Sequence, residues 1–407
     1  MDRAIVTIVG GGAFVPKLCE AAARLESLPP IELRLVARRA ERLAIIADHA
    51  ARAVARLPGD VRVTPFDAPA PALLGARVVV LLIRVGGLAA RAHDEAFPRP
   101  FGLAGDEGLG PGGVANAYRT APVLAGVART IREHAPGAAV LNLVAPLGVT
   151  TRLLLDEGTD AIGLCELPLV TLEALARAAG VAARDVQYRY AGLNHLGWFW
   201  DAHAGGVDVI ARAAAAGLAD ARVIARFGAA PLPYYHDVVD PEAGRRLGRA
   251  RAPDRALALA ALSERLLERF ARDPGGAAPE LDERPTPWFE RAVVPALRHA
   301  LTGAPWRGFA NVRNRGLLRG LPDDQVVETP ITADRGGLHP RAPGAVPDPV
   351  ERFLSAAAHA EDLSYRAARA RSPALVAEAI RALPLPIAPE DVPALARLAC
   401  AAVPDRD

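Results

Sequence analysis

Ala4-Ile5-Val6-Thr7-Ile8-Val9 runs directly into Gly10-Gly11-Gly12-Ala13-Phe14-Val15, and a helical pattern from Leu18 to Leu25 follows. An apolar β-branched run, a Gly-rich turn and a helix form the opening unit of a dinucleotide-binding fold. Glycines at the end of such a strand let a pyrophosphate approach the backbone, and the helix then points its first N–H groups at the phosphates. The usual Gly-x-Gly-x-x-Gly spacing has Val15 in place of its third glycine. Position between strand and helix therefore carries the reading, with a tight turn that binds nothing as the competing one. Gly10, Gly11, Gly12, Ala13 and Phe14 are the candidate cofactor contacts, with Val85 beyond a later strand.

Further strand patterns follow at Ile31–Val36, Val61–Pro65, Ala76–Ile83 and Ala139–Val144. Helical patterns at Glu41–Leu57 and Val123–His134 separate them. Strands alternating with helices predict a parallel sheet covered on both faces. Beyond Ala191 long Ala/Arg/Leu helices take over, notably Asp254–Arg272 and Trp288–Thr302. A strand-like stretch at Gly308–Asn314 comes next, and helices return from Val350. Pro274–Pro287 reads as a loop. The expected fold is α/β. Residues 1–190 form a Rossmann-like doubly wound parallel sheet that binds NAD(P). Residues 191–407 form an α+β, mainly helical domain for substrate, metal and oligomerisation.

The chain has 407 residues, too many for one typical core. Its 48 basic and 46 acidic residues leave a formal net charge of +2, which argues against a nucleic-acid partner. Three cysteines, Cys19, Cys165 and Cys400, make no disulfide framework. Met1-Asp2-Arg3 leads into the first strand without a signal-peptide pattern, and no apolar run reaches the roughly 18 residues of a membrane span. A cytoplasmic protein without a membrane partner is expected.

At the end of the second strand an acidic residue ordinarily holds the ribose hydroxyls of NAD. Here Ala37 stands there, followed by Arg38 and Arg39. Two arginines suit a 2′-phosphate, so both NAD and NADP remain open; solvated arginines at a helix start are the bland alternative.

Several segments then line up in order: Arg84-Val85-Gly86-Gly87, Gly105-Asp106-Glu107-Gly108-Leu109-Gly110-Pro111-Gly112-Gly113, Arg119-Thr120 and Asn142-Leu143-Val144-Ala145-Pro146. Gly163-Leu164-Cys165-Glu166-Leu167-Pro168, Gly192-Leu193-Asn194-His195, Asn311-Val312-Arg313-Asn314 and Leu321-Pro322-Asp323-Asp324-Gln325-Val326-Val327-Glu328-Thr329-Pro330 continue the series. The set resembles glycoside hydrolase family 4, which contains 6-phospho-β-glucosidases, 6-phospho-α-glucosidases and α-galactosidases. That family departs from two-carboxylate hydrolysis. The resemblance implies that NAD takes a hydride from carbon 3 of the sugar. A divalent metal, usually Mn²⁺, polarises the ketone. A tyrosine removes the carbon-2 proton, the aglycone leaves, water adds, and the hydride returns. It also implies a homodimer or homotetramer.

By the same resemblance, Cys165 and His195 match the metal ligands, a pairing of thiolate and imidazole that suits a borderline divalent ion. The ordinary reading of Cys165 is a buried thiol. Tyr234, in Pro231-Leu232-Pro233-Tyr234-Tyr235-His236-Asp237, matches the base, with Tyr235 as an alternative and Asp237 and His236 near enough in sequence to relay a proton. Interface packing is the competing reading for both tyrosines. Arg84, Glu107, Asn194 and Arg284 are candidate substrate contacts. Gly110, Gly112 and Gly113 would let their loop lie close to the ligand.

The departures fall at the site. The family's two asparagines near the metal become Ala145 and Glu166, and a serine position becomes Glu290. Glu166 brings a carboxylate as a metal ligand or hydroxyl acceptor, which is unfavourable beside a phosphosugar. Three functions stay open: a family 4-type glycosidase, 6-phospho-β-glucosidase-like; an NAD(P)-dependent sugar oxidoreductase or epimerase; and a nucleotide-binding pseudoenzyme.

Overall fold

The computed structural model describes residues 3–248 and 255–403. The chain begins with six parallel strands, β1 Ala4–Gly10, β2 Ile31–Val36, β3 Val61–Phe66, β4 Ala76–Leu82, β5 Ala139–Asn142 and β6 Asp160–Gly163. Next come β7 Gln187–Ala191, β8 Trp198–Ala204, β9 Val207–Asp208 and β10 Ala230–Pro231, which make a small antiparallel sheet. β11 Trp306–Arg313, β12 Val326–Asp334 and β13 Gly337–Pro340 return to the first sheet and extend it antiparallel past β6. Among the described residues the main sheet thus has nine strands, in the order β13-β12-β11-β6-β5-β4-β1-β2-β3. Its parallel part has the 3-2-1-4-5-6 order of a doubly wound dinucleotide fold, and the order reverses direction beside β1.

Strand alternation sends side chains of β1 to both faces. Val6 and Ile8 pack with Leu18, Leu43 and Ile46 on one side, and Val9 packs with Leu124, Ile131 and Leu153 on the other. Both layers draw on the second half of the chain. Leu259, Leu262, Leu266 and Phe270 repeat at helical spacing on Arg255–Arg272 and join the first layer. Tyr365 and Ala368 of the helix Asp348–Ala370 join the second. Each such buried Leu or Phe is worth roughly 1.5–3 kcal/mol. The sheet and its cover therefore cross position 190, with β11–β13 lying beyond it.

Most boundaries fall within a few residues of the sequence reading. The expected start of the long helix at Asp254 lies outside the described residues. A larger correction concerns Val123–His134, whose helix already starts at Gly110. Pro111 is tolerated in its first turn. Close packing requires a glycine at Gly112: a Cβ on it would stand 2.3 Å from the Asp106 carbonyl oxygen and 2.4 Å from that of Asp94.

At the opening turn Gly11 has φ +108°, and a Cβ there would stand 2.0 Å from Cγ2 of Val15. Gly12 has φ +56°, yet a Cβ there meets nothing within 4 Å. Gly11→Ala is expected to cost about 2 kcal/mol or more through strain and collision. Gly12→Ala should cost about 1 kcal/mol, from its left-handed backbone alone. Denaturant midpoints of the two variants compare these costs directly.

Candidate active site

Parallel strands end on one edge, and the sequence-predicted residues emerge there. β4 ends at Leu82 and delivers Arg84 and Val85; β6 ends at Gly163 and delivers Cys165 and Glu166; the turn between β7 and β8 carries Asn194 and His195. β1 delivers Gly10 to Phe14. β2 delivers Ala37, Arg38 and Arg39, and both arginines are exposed.

A basic cluster forms around Glu107. Arg84 donates from Nε and Nη2 to its carboxylate at 2.9 and 2.8 Å, and Arg91 Nη1 reaches it at 3.0 Å. Burial alone would raise the pKa of Glu107, but Arg84 and Arg91 overcome that and hold it down at about 2. Arg284 joins from the loop before Trp288. Its guanidinium lies 4.6 Å from the centre of the Phe14 ring and 5.2 Å from that of Trp288. Burial first, then Arg84 and Arg91, push its pKa down to about 9. Glu95 also pairs with Arg91, at 2.7 Å, so Glu107 and Glu95 engage Arg84 and Arg91, and Arg284 stacks on the two rings beside them.

A second cluster is acidic. The Cys165 thiol lies 4.0 Å from the Glu166 carboxylate. Burial raises this thiol well above its ordinary value, Glu166 and Glu328 add to the rise, and the Asn194 side chain opposes it through a hydrogen bond. Glu166 is the N-cap of Leu167–Ala178, and burial raises its carboxyl too. Glu328 accepts hydrogen bonds from Tyr190 at 2.6 Å, Asn311 at 3.0 Å and Asn194 at 3.2 Å. Burial nevertheless lifts it to about 7. Among the described residues no three His, Cys, Asp or Glu side chains gather closely enough to hold a metal unaided.

His195 sits in a left-handed conformation, φ 67°, and its ring stacks on Tyr234 with centroids 4.0 Å apart at 20°. A Cβ on Gly108 would lie 3.7 Å from His195 Nδ1, so the loop of Glu107 reaches this pair. Tyr235 points the other way. It is 4% exposed, packs with Trp198, Phe227 and Phe353, and burial pushes its pKa up to about 12. His236 is buried and Asp237 half-buried on the π-helical segment Tyr235–Val239. Glu290 lies outside the cluster: it is exposed and 3.8 Å from Arg24.

Sequence reasoning missed the frame that holds these loops. Asn116 Nδ2 donates to the carbonyl oxygens of Glu107 at 2.9 Å and Ala145 at 3.0 Å. Arg119 donates to the Val85 carbonyl at 3.0 Å and to Asp94 at 3.1 and 2.5 Å. Arg119 stands in a quoted motif, whereas nothing in the sequence marks Asn116. Glu328 was quoted without a role, because its partners come from three other segments.

Because the folded pKa of Glu107 lies below its unfolded value, its contribution is present above pH about 4.5 and is lost as pH falls towards 2. The contribution is on the order of 3 kcal/mol. The stability gap between the wild type and Glu107→Gln should therefore narrow across that window, as urea unfolding at several pH values would show.

Residues 4–181 match the family 4 glycosyl hydrolase profile, and residues 190–385 match the C-terminal domain of that family. The probable 6-phospho-beta-glucosidase of Bacillus subtilis (strain 168) is 29% identical over 370 residues, covering 84% of this chain and 83% of that protein. The alpha-galactosidase of Rhizobium meliloti (strain 1021) is 28% identical over 405 residues, 89% of this chain and 80% of its own. The solved 6-phospho-beta glucosidase of Thermotoga maritima with manganese, NAD+ and glucose-6-phosphate aligns over 98% of this chain and 97% of that one, with a TM-score of 0.84 at 25% identity. Motifs, fold and both profile matches agree: this chain belongs to the family 4 glycosyl hydrolases, enzymes that cleave glycosidic bonds.

Proposed function

We propose that this enzyme cleaves a 6-phospho-β-glucoside or a close analogue, by oxidation at carbon 3 and elimination across carbons 2 and 1. The observation that carries this reading is Arg284, a guanidinium shielded from water and crowded by Arg84 and Arg91, which Glu107 and Glu95 already engage. Buried cations call for an anion, and a phosphate monoester matches the guanidinium fork. The β-linkage follows the Bacillus subtilis and Thermotoga maritima relatives.

The residues present fit both groups that such chemistry needs. Open space above Gly12, at the point where the strand order reverses, leaves room for a pyrophosphate. Cys165, Glu166 and Glu328 are crowded carboxyl and thiol groups whose charge a cation would relieve. Cys165 and His195 would hold a divalent metal such as Mn²⁺, with sugar oxygens completing its shell. When bound, a nicotinamide dinucleotide supplies a reversible hydride acceptor and the metal supplies a Lewis acid.

Tyr234 is the base for the carbon-2 proton, through its phenolic oxygen. Its stacking on His195 puts it beside a candidate metal ligand, and a nearby cation favours the phenolate. Tyr235 supports it from the core, and Asp237 lies close enough in sequence to pass the proton to water. Arg84 and Arg284 hold the substrate phosphate. Glu107 keeps Arg84 and Arg91 in place, and Asn194 orients Cys165 and a sugar hydroxyl. Glu166 then serves the metal side of the site, apart from the guanidinium cluster that takes the phosphate.

Tyr234→Phe should lower kcat by roughly 10²–10⁴-fold with the dinucleotide still bound. Tyr235→Phe should act on thermal stability first. With an aryl 6-phospho-β-glucoside in deuterated buffer, the wild-type product should carry deuterium at carbon 2. Product without that label would overturn the elimination route.

Arg284→Ala should raise KM for the phosphorylated glycoside roughly tenfold or more, the worth of one charge-assisted bond. It should barely change the weak turnover of the unphosphorylated glycoside. Equal use of both glycosides by the wild type would overturn the phosphate assignment.

A further inference from the structure

Lys17 is the only lysine in the chain, and the proposed chemistry leaves it unused. It lies on the helix Val15–Ala23 that follows the opening turn, three residues after Phe14. Residues three apart share one face of a helix, and here both meet the loop of Arg284. The Phe14 ring centre lies 4.6 Å from the Arg284 guanidinium. The Lys17 ammonium donates to the Leu281 carbonyl at 2.9 Å and meets Asp282 at 3.3 Å. The Asp282 side chain is 86% exposed, so the ion pair adds little. The bond to Leu281 is the stronger tie. Leu281 belongs to the short helical turn Pro279–Glu283, whose last carbonyls have no partner within the turn, and a lysine supplies one.

Arg284 follows that turn directly. Its Nε is buried without a hydrogen-bond partner. Stacking on Phe14 and Trp288 sets the plane of the guanidinium, and the path of the backbone sets its place. Other contacts fasten the same loop. Arg265 and Arg269, on the helix that leads into it, pair with Glu283 and Glu280. At its start the Gly275 N–H donates to His49 Nδ1 at 3.0 Å, and the Gly275 carbonyl accepts from Arg56. Beyond it Arg24 lies 3.8 Å from exposed Glu290. Gly275 and Glu290 stand nine and six residues from Arg284, whereas Lys17 grips the backbone three residues before it. An arginine already in place saves the ordering cost that a ligand would otherwise have to meet.

We infer that Lys17 is a positioning residue for substrate recognition: by fastening the backbone at Leu281 to the first helix, it holds Arg284 between Phe14 and Trp288 before the phosphorylated sugar arrives. The inference deepens the proposed function and rests on its reading of Arg284 as a phosphate contact. Lys17 itself touches no substrate in this scheme.

Steady-state rates of the full chain with NAD+ and Mn²⁺ test it on an aryl 6-phospho-β-glucoside and its unphosphorylated counterpart. Lys17→Met keeps the apolar stem and loses the donor. It should raise KM for the phosphorylated glycoside roughly 3–10-fold and leave kcat within about twofold. The kcat/KM for the unphosphorylated glycoside should stay within about twofold. Lys17→Arg, which can still donate to the Leu281 carbonyl, should recover most of the loss. In an Arg284→Ala background Lys17→Met should add less than about twofold, because the group it positions is gone. Calorimetric titration with glucose 6-phosphate and with glucose reads the same difference without turnover. Acetylation of the folded wild type, located by mass spectrometry, replaces Lys17→Met if that variant does not fold, since Lys17 is the sole side-chain amine. An equal rise in KM for both glycosides, a fall in kcat alone, or full additivity with Arg284→Ala would overturn the positioning role. An unchanged KM for the phosphorylated glycoside in Arg284→Ala would overturn the phosphate reading and this role with it. An effect of Arg284→Ala with none of Lys17→Met removes only the positioning role.

Discussion

Right-handed crossover of a parallel sheet is the constraint on which this molecule depends. Each connection from one parallel strand to the next returns over a face of the sheet, so every strand delivers its carboxyl end to the same edge. β1, β4 and β6 therefore bring Gly12, Arg84 and Cys165 to that edge, though they lie far apart in the chain. The antiparallel extension completes the arrangement. β11 meets β6 through Asn311 and Gly163, and β12 places Glu328 opposite Asn311. A single sheet thus supplies both the dinucleotide turn and the buried carboxyl beside Cys165.

Charge is divided along this edge. One cluster gathers three arginines around Glu107, and the other gathers Cys165, Glu166 and Glu328. Both are largely shielded from water, and Glu107 and Arg284 in the first, like Cys165 and Glu328 in the second, are displaced from their ordinary values by their neighbours as well as by burial. Protein interiors make isolated charges costly, so such clusters have a reason to exist where ligands bring the opposite charge. In the proposed function the arginine cluster would take a phosphate and the acidic one a cation. Glu166, read from sequence as an acid unfavourable to a phosphosugar, belongs to the second cluster.

Loop order comes from residues with no chemistry of their own. Asn116 ties the carbonyls of Glu107 and Ala145 together, and Arg119 ties Val85 to Asp94. Holding reactive groups to fractions of an ångström requires such support, because loops alone are mobile. Tyr190 from the small sheet and Asn311 from the main sheet do the same for Glu328.

Local sequence by itself determined the opening strand, turn and helix, the alternation that makes a parallel sheet, and the motifs that assign the family. These depend on short-range rules: β-branched runs, glycines that accept positive φ, and fixed spacings within one loop. Tertiary structure alone decided how the pieces meet. It carried β11–β13 across position 190 into the first sheet, turned Gly112 from a loop glycine into a packing contact, and separated Tyr234, stacked on His195, from Tyr235, sunk among Trp198, Phe227 and Phe353. Adjacent tyrosines look alike in a sequence. Their exposure differs because one stacks half-buried on His195 and the other is sunk in a core, and most of the residues they meet are tens or hundreds of positions away.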